Sequence, residues 1–231
     1  MFDHPAYDAH EGVHLFHDEK SGLKAIIALH STARGPAAGG TRMWDFANGE
    51  AMLKDVLRLS QGMSYKNAMA DLPLGGGKAV IWGNAKTDKS PELFRAFGRA
   101  VESLQGRYYT AEDVGIDVAD MEIVRQETAY VAGLDHGEAA SGDPSPITAM
   151  GVFLGIVETA KRALGSDDLT GRTVAVQGVG SVGGYTCDHL AKAGANLIIT
   201  DIDQAALKAV ADRTGARIVG PDEIYDVEAD I

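Results

Sequence analysis

The hexapeptide Gly178-Val179-Gly180-Ser181-Val182-Gly183 constrains this chain more than any other feature, because its neighbours dictate the structure around it. An apolar run, Thr173–Gln177, precedes it, and a helical pattern over Val182–Ala193 follows. The next apolar run, Leu197–Thr200, ends at Asp201. Strand, glycine turn, helix and strand in that spacing make a βαβ unit, which requires a parallel sheet with helices on its faces. The alternation continues with a helix over Asp203–Arg213 and a strand over Arg217–Val219. Each glycine has a physical task. Gly178 permits the tight turn, Gly180 lets backbone approach a pyrophosphate, and Gly183 lets the helix pack close to the strand. The unpaired N–H groups at the helix start face the phosphates, so Gly178 to Gly183, with Val179, Ser181 and Val182, form the expected cofactor loop. Asp201 would accept hydrogen bonds from ribose hydroxyls and repel a 2′-phosphate, which favours NAD over NADP.

Upstream the texture differs. Gly12–His17 and Leu23–His30 read as strands joined by a turn at Lys20-Ser21-Gly22, a hairpin. Glu50–Gln61 places Met52, Leu53, Val56 and Leu57 at helical spacing. Ser90-Pro91 opens a second helix, with Leu93, Phe94, Phe97, Val101 and Leu104 on one apolar face. A segment rich in Gly, Asp, Ser and Pro between Leu134 and Pro146 marks a domain boundary, and Ile147–Leu164 then reads as a long helix. The expected fold is α/β in two domains, residues 1–145 and 146–231, the second a Rossmann domain.

The first half also carries an unusual grouping: Gly39-Gly40-Thr41-Arg42-Met43, Gly62-Met63-Ser64-Tyr65-Lys66-Asn67-Ala68, and Leu74-Gly75-Gly76-Gly77-Lys78. Three glycines before a lysine suggest tightly packed backbone with the ammonium at its lip. Lys66 and Lys78 are too far apart for one helical turn, so a loop must bring them together if they cooperate. Two ammonium groups in one pocket lower one proton affinity by repulsion, and partial burial acts the same way. A lysine tuned toward neutrality can serve as a general base, while its charged neighbour holds a carboxylate. Tyr109-Thr110-Ala111-Glu112-Asp113-Val114-Gly115 adds a carboxylate, Asp113, at an expected strand end; a turn or helix cap is the alternative for it.

Charge excludes one class of partner. A net charge of −12 would be repelled by a nucleic-acid backbone. No apolar stretch approaches bilayer length and the N-terminus lacks the pattern of a signal peptide, so a cytoplasmic protein without a membrane partner is expected. The one cysteine, Cys187, suits a reducing compartment and reads as a small buried hydrophobe. His10, His14 and His17 lack a ligand spacing and read as surface residues; no metal is expected. Arg42 and Trp44 are open to two readings, an oligomer contact or a structural ion pair.

Taken in order, these segments resemble the glutamate/leucine/phenylalanine/valine dehydrogenases. The matches are Gly35–Met43, Met63–Ala68, Leu74–Lys78, Ala111–Gly115, Gly142–Ala149 and Val174–Gly180, and they cover nearly the whole chain. The resemblance implies an N-terminal α/β substrate domain of the amino-acid dehydrogenase kind, a Rossmann NAD-binding domain, and an active site in the cleft between them. It further implies that Lys66 binds the substrate α-carboxylate, assisted by the backbone at Gly39 and Gly40 and by packing from Met63. Lys78 would be the base that activates water, Asp113 would exchange protons with the departing amine, and Thr148 would lie near the nicotinamide carboxamide. The implied activity is reversible NAD-dependent oxidative deamination of a branched-chain L-amino acid (leucine, valine or isoleucine), by a homo-oligomer. Phenylalanine dehydrogenase is the alternative enzyme, and a non-catalytic NAD-binding module the alternative class. Against the family pattern the Rossmann domain is truncated, its C-terminal part missing, which predicts an unpaired sheet edge and uncovered apolar surface.

Overall fold

A computed structural model describes residues 2–134 and 143–231. Its chain divides into two compact units, Met1–Gly142 and Asp143–Ile231. Gly137, within the boundary segment, and Gly142, which opens one matching segment, lie outside the described residues.

The first unit runs β1 (Gly12–Asp18), β2 (Leu23–Ser31), β3 (Ala37–Ala38), β4 (Thr41–Trp44), α1 (Gly49–Met69), β5 (Gly75–Trp82), α2 (Pro91–Glu102), β6 (Tyr108–Tyr109) and α3 (Val118–Arg125). Among the described residues these strands form one sheet in the order β1-β2-β5-β3-β6, with β4 also paired to β5. β1 and β2 are the expected antiparallel hairpin, and β2 pairs antiparallel with β5. β3 and β4 run parallel to β5 on its other side. Successive strand residues face opposite ways, so the two sheet faces collect different partners. Ile27, Leu29, Ala79 and Ile81 pack with Phe94 and Phe97 of α2 and Met121 and Val124 of α3. Ile26, Ala28 and Val80 pack with Met52, Val56 and Leu57 of α1. Cover on both faces explains why β2 is continuously apolar from Ala25 to Leu29, while edge strand β1 mixes types. Phe94 and Phe97 are almost wholly buried, each contributing roughly 1.5–3 kcal/mol.

α1 is longer than its apolar stripe predicts. Asn48 caps it by accepting from the Ala51 amide at 2.9 Å, and the helix continues past Gln61 to Met69, taking in the whole Met63–Ala68 segment. Gly62, Ser64 and Asn67 weaken local propensity, but packing against β5 overrides it. α3 had no apolar signature long enough to reveal it. Its signal is the reciprocal cap in which Asp117 accepts from the Asp120 amide and Asp120 from the Asp117 amide.

The second unit runs α4 (Ser145–Leu164), β7 (Thr173–Gln177), α5 (Ser181–Lys192), β8 (Asn196–Thr200), α6 (Gln204–Thr214) and β9 (Arg217–Ile218). Its sheet is parallel, in the order β7-β8-β9, as strand–helix alternation requires. Val174, Leu197, Ile199, Leu190, Leu207 and Val210 form its core with Cys187, which is buried as expected. One expectation fails. The outer edge of β7 is paired: Thr173 O accepts from the Asp230 and Ile231 amides at 2.9 and 3.3 Å, and the Ala175 amide donates to Ile231 O at 2.9 Å. Asp230 and Ile231 thus pair the Thr173 carbonyl and the Ala175 amide, two of the ladder groups that the sequence reading left open.

Candidate active site

The site begins as a problem of backbone proximity. β3 ends in register with Gly76 (Ala38↔Gly76) and β4 begins in register with Ala79 (Thr41↔Ala79), so Gly39-Gly40 lies beside Gly77-Lys78. A methyl group on Gly39 would stand 1.9 Å from Gly77 O, and one on Gly40 would stand 2.4 Å from Glu112 O and 3.0 Å from Asp113 Cβ. Glycine at 40 is therefore what admits the Asp113 segment. The Gly39 amide donates to Tyr109 O at 3.1 Å, and its carbonyl accepts from the buried Tyr108 hydroxyl at 2.6 Å. Its contribution is steric room. A methyl on Gly76 would stand 2.0 Å from Ser64 Oγ and 2.6 Å from Ser60 O, and one on Gly77 would strike the Tyr108 ring. Gly76 thus admits α1 on one face of β5, and Gly77 admits Tyr108 on the other.

That close approach brings the charged residues together. Lys78 projects from the α1 side of β5, in register with Ala28. Its ammonium is buried rather than held at a lip as the glycine run suggested, and Nζ lies 2.6 Å from Asp113 Oδ2. The reason is that β5 is an interior strand covered by a helix, so its side chains have no path to a rim. Burial lowers the proton affinity of Lys78, Asp113 opposes that shift, and the cations of Arg42 and Lys66 reinforce it. Burial therefore outranks the lysine–lysine repulsion expected from the spacing, which is real but smaller. Asp113 is held below the usual carboxylate range: burial acts to raise it, but the Lys78 ammonium, the Val114 amide and Arg42 outweigh that. Its buried Oδ2 faces two cations, the Lys78 ammonium at 2.6 Å and Arg42 Nε at 3.4 Å.

Lys66 lies exposed near the end of α1, with Met63 half-buried one turn earlier. A short connection, residues 70–74, links the helix to β5. Asn67 ties this end down through its side-chain amide, which donates to Gly75 O at 2.6 Å.

In the second unit, Gly178 sits at φ 90°, which side chains disfavour, and its amide donates to Thr200 O at 2.8 Å. A methyl on Gly183 would stand 2.0 Å from Gly178 O, whereas one on Gly180 would meet nothing within 4 Å. Gly183 is thus a packing glycine and Gly180 borders open space. α5 starts without a side-chain cap, leaving the N–H groups of its first turn, from Ser181, Val182 and Gly183, to a ligand. Asp201 accepts from the Val179 amide at 2.7 Å and the Asp203 amide at 2.9 Å, and these bonds keep it ionised. An uncapped helix start, a bare Gly180 and an ionised carboxylate fit a dinucleotide. Thr148 is exposed in the first turn of α4, and its amide donates to Pro144 O at 2.9 Å.

Two residues lay outside the sequence reading of the site. Arg42 on β4 contacts both Asp55 and Asp113, so it makes ion pairs within the chain, while Trp44 is half exposed. His10 is a correction to the surface reading: it is buried, with Nε2 3.0 Å from Leu57 O and from Ser60 Oγ, because the N-terminal segment closes over α1. Among the described residues no group of three His, Cys, Asp or Glu side chains could hold a metal.

Comparison with known proteins covers both units. Residues 10–130 match the Glu/Leu/Phe/Val dehydrogenase dimerisation domain, and residues 141–222 match the Glutamate/Leucine/Phenylalanine/Valine dehydrogenase model. A leucine dehydrogenase of Bacillus subtilis is 55% identical over 93% of this chain and 59% of its own length. A phenylalanine dehydrogenase of Lysinibacillus sphaericus is 47% identical over 96% of this chain and 59% of its own length. The crystal structure of an L-tryptophan dehydrogenase from Nostoc punctiforme superposes with a TM-score of 0.69 at 44% identity, covering 95% of this chain and 62% of that one. The chain therefore spans about three fifths of the length of the relatives it matches.

Proposed function

The chain belongs to the Glu/Leu/Phe/Val dehydrogenase family, and from that membership we propose that it oxidatively deaminates a branched-chain L-amino acid, with NAD as the oxidant. The overall change takes amino acid, NAD⁺ and water to 2-oxo acid, ammonium, NADH and a proton. NAD, when bound, accepts the hydride from the substrate Cα; the protein's residues do the rest. Lys66, charged and exposed at the end of α1, would hold the substrate carboxylate, with Gly40 and Met63 shaping its surroundings. Lys78, poor in proton affinity through burial, would take the proton from the water that attacks the imino carbon. Asp113 would exchange protons with the nitrogen as it leaves.

The observation that carries this reading is the buried Lys78–Asp113 contact at 2.6 Å, next to a second lysine. A module that only bound NAD would gain nothing from burying that pair, because burying charge is costly. Asp201 supports NAD over its 2′-phosphorylated form. The leucine dehydrogenase relatives support an aliphatic substrate, and the matching dimerisation domain supports a homo-oligomer. Aromatic substrates are the second reading, since relatives named for phenylalanine and tryptophan lie within ten points of identity of the leucine ones.

Initial rates of NADH formation with leucine, valine, isoleucine, phenylalanine and tryptophan at alkaline pH test the assignment. Leucine or valine should turn over fastest, and silence with all five would sink it. Lys78→Ala should abolish turnover while leaving NAD affinity unchanged. A near-normal kcat in that variant would refute the assigned base.

A further inference from the structure

Arg42 stands outside the roles assigned above, yet it touches the catalytic pair. β4 lies parallel to β5 with Arg42 in register with Val80, so Arg42 shares a sheet face with Val80 and Lys78. Two contacts fix its guanidinium. Nη1 donates to both carboxylate oxygens of Asp55, at 3.2 and 2.9 Å, and Nε lies 3.4 Å from Asp113 Oδ2. That same oxygen is the one 2.6 Å from Lys78 Nζ. Asp55 and Lys66 lie on one line of α1, since eleven residues make almost exactly three turns, about 20° apart. The result is a row of alternating charge, Asp55, Arg42, Asp113 and Lys78, with the Lys66 cation beyond it. Both carboxylates and the guanidinium are three-quarters buried, so these charges are only weakly screened.

We propose that Arg42 is a positioning residue: clamped by Asp55, it fixes the Asp113 carboxylate in place beside Lys78, shares that carboxylate's charge, and sets a second cation close to the lysine. The proposal rests on the reading of Lys78 as the base. Without Arg42, Asp113 keeps one cationic neighbour instead of two, and its charge acts on Lys78 undivided. Lys78 then loses a repelling charge, and its remaining charged neighbours are Asp113 and Lys66. Both changes favour its protonated form. A merely structural Arg42–Asp55 tie between β4 and α1 would affect stability but not where Lys78 titrates.

The experiment uses the full chain and three variants, Arg42→Met, Arg42→Lys and Asp55→Asn. Lys78 is followed through its Cε chemical shift, and the kcat/KM–pH profile is taken with the best amino-acid substrate. Arg42→Met should raise the Lys78 titration, and the acid limb of the profile, by about one pH unit. Its kcat at neutral pH should fall about tenfold, with KM little changed. Arg42→Lys, which keeps the charge without the fork, should return the limb most of the way. Asp55→Asn should lower kcat with a smaller shift of the limb. A Lys78 titration unmoved in Arg42→Met, or in Asp55→Asn a kcat and limb like those of the parent, would overturn the proposal. If Arg42→Met fails to fold, Asp55→Asn decides: a lowered kcat with a raised limb supports the clamp, and a lowered melting temperature alone overturns it. Because the chemical-shift titration needs no turnover, the fate of Arg42 is read separately from the fate of Lys78 as base.

Discussion

A lysine on an interior strand beneath a helix loses hydration that an exposed one keeps, and Lys78 retains only part of it through Asp113. Its proton affinity in the folded protein is depressed below the ordinary 10.5. The unfolded chain therefore binds more protons in the window from that depressed value up to 10.5, and folding stability falls as pH drops through it. Below the window the penalty is fully present. Lys78→Met removes it while keeping volume, so the variant should melt several degrees higher than the parent at pH 7 and equally at pH 11. A lower melting temperature at pH 7 would mean that the ion pair outweighs desolvation. Burial decides here because a strand side chain cannot snorkel past a packed helix.

Two glycines, Gly62 sixteen residues before Lys78 and Gly76 two before it, show how whole elements set the site. At Gly76 a methyl would collide with Ser64 and Ser60 of α1, so Gly76→Ala must lift the helix from β5. It should cost about 1–3 kcal/mol in a denaturant titration and weaken substrate binding, because Lys66 rides on the displaced turn. Gly62, in the interior of α1, has nothing within 4 Å of its missing Cβ. Gly62→Ala should gain roughly 0.5–1 kcal/mol from helix propensity. Destabilisation by Gly62→Ala, or tolerance of Gly76→Ala, would show that the helix sits differently on the strand. His10 adds a third anchor to this helix, and its burial lowers its proton affinity, so acidification loosens the N-terminal segment first.

Over the whole molecule, a net charge of −12 repels anions, so a dinucleotide must be held by local geometry. The uncapped start of α5 offers that local positive end, and on the proposed reading Asp201 would work against any further phosphate on the ribose. NAD at a hundred times its dissociation constant should stabilise the fold by about 2.7 kcal/mol, seen as a raised melting temperature. NADP at the same concentration should produce little shift; equal shifts would remove Asp201 from cofactor selection. Asp201 also holds the glycine loop through the Val179 amide, so Asp201→Asn should weaken NAD binding as well as relax the preference.

Patterns that depend on neighbours in the chain were legible from the sequence: the β1–β2 hairpin, the α2 cap at Ser90, and the strand–glycine–helix run from Thr173 to Thr200. Local hydrogen bonding and periodicity specify those, and the glycine loop with Asp201 came with them. Lys66, Lys78 and Asp113 stood out through the motifs around them, while the roles given to them came from the family resemblance alone. Tertiary structure alone decided how far Lys78 is buried, which cause dominates its proton affinity, and that Arg42 and Asp55 belong to the same row of charge. It also decided the length of α1, the existence of α3, the burial of His10 and the pairing of β7 with Asp230-Ile231. The physical reason is common to all of these. Each depends on contacts between residues distant in sequence, and desolvation and Coulomb interactions act through space, which no spacing along the chain records.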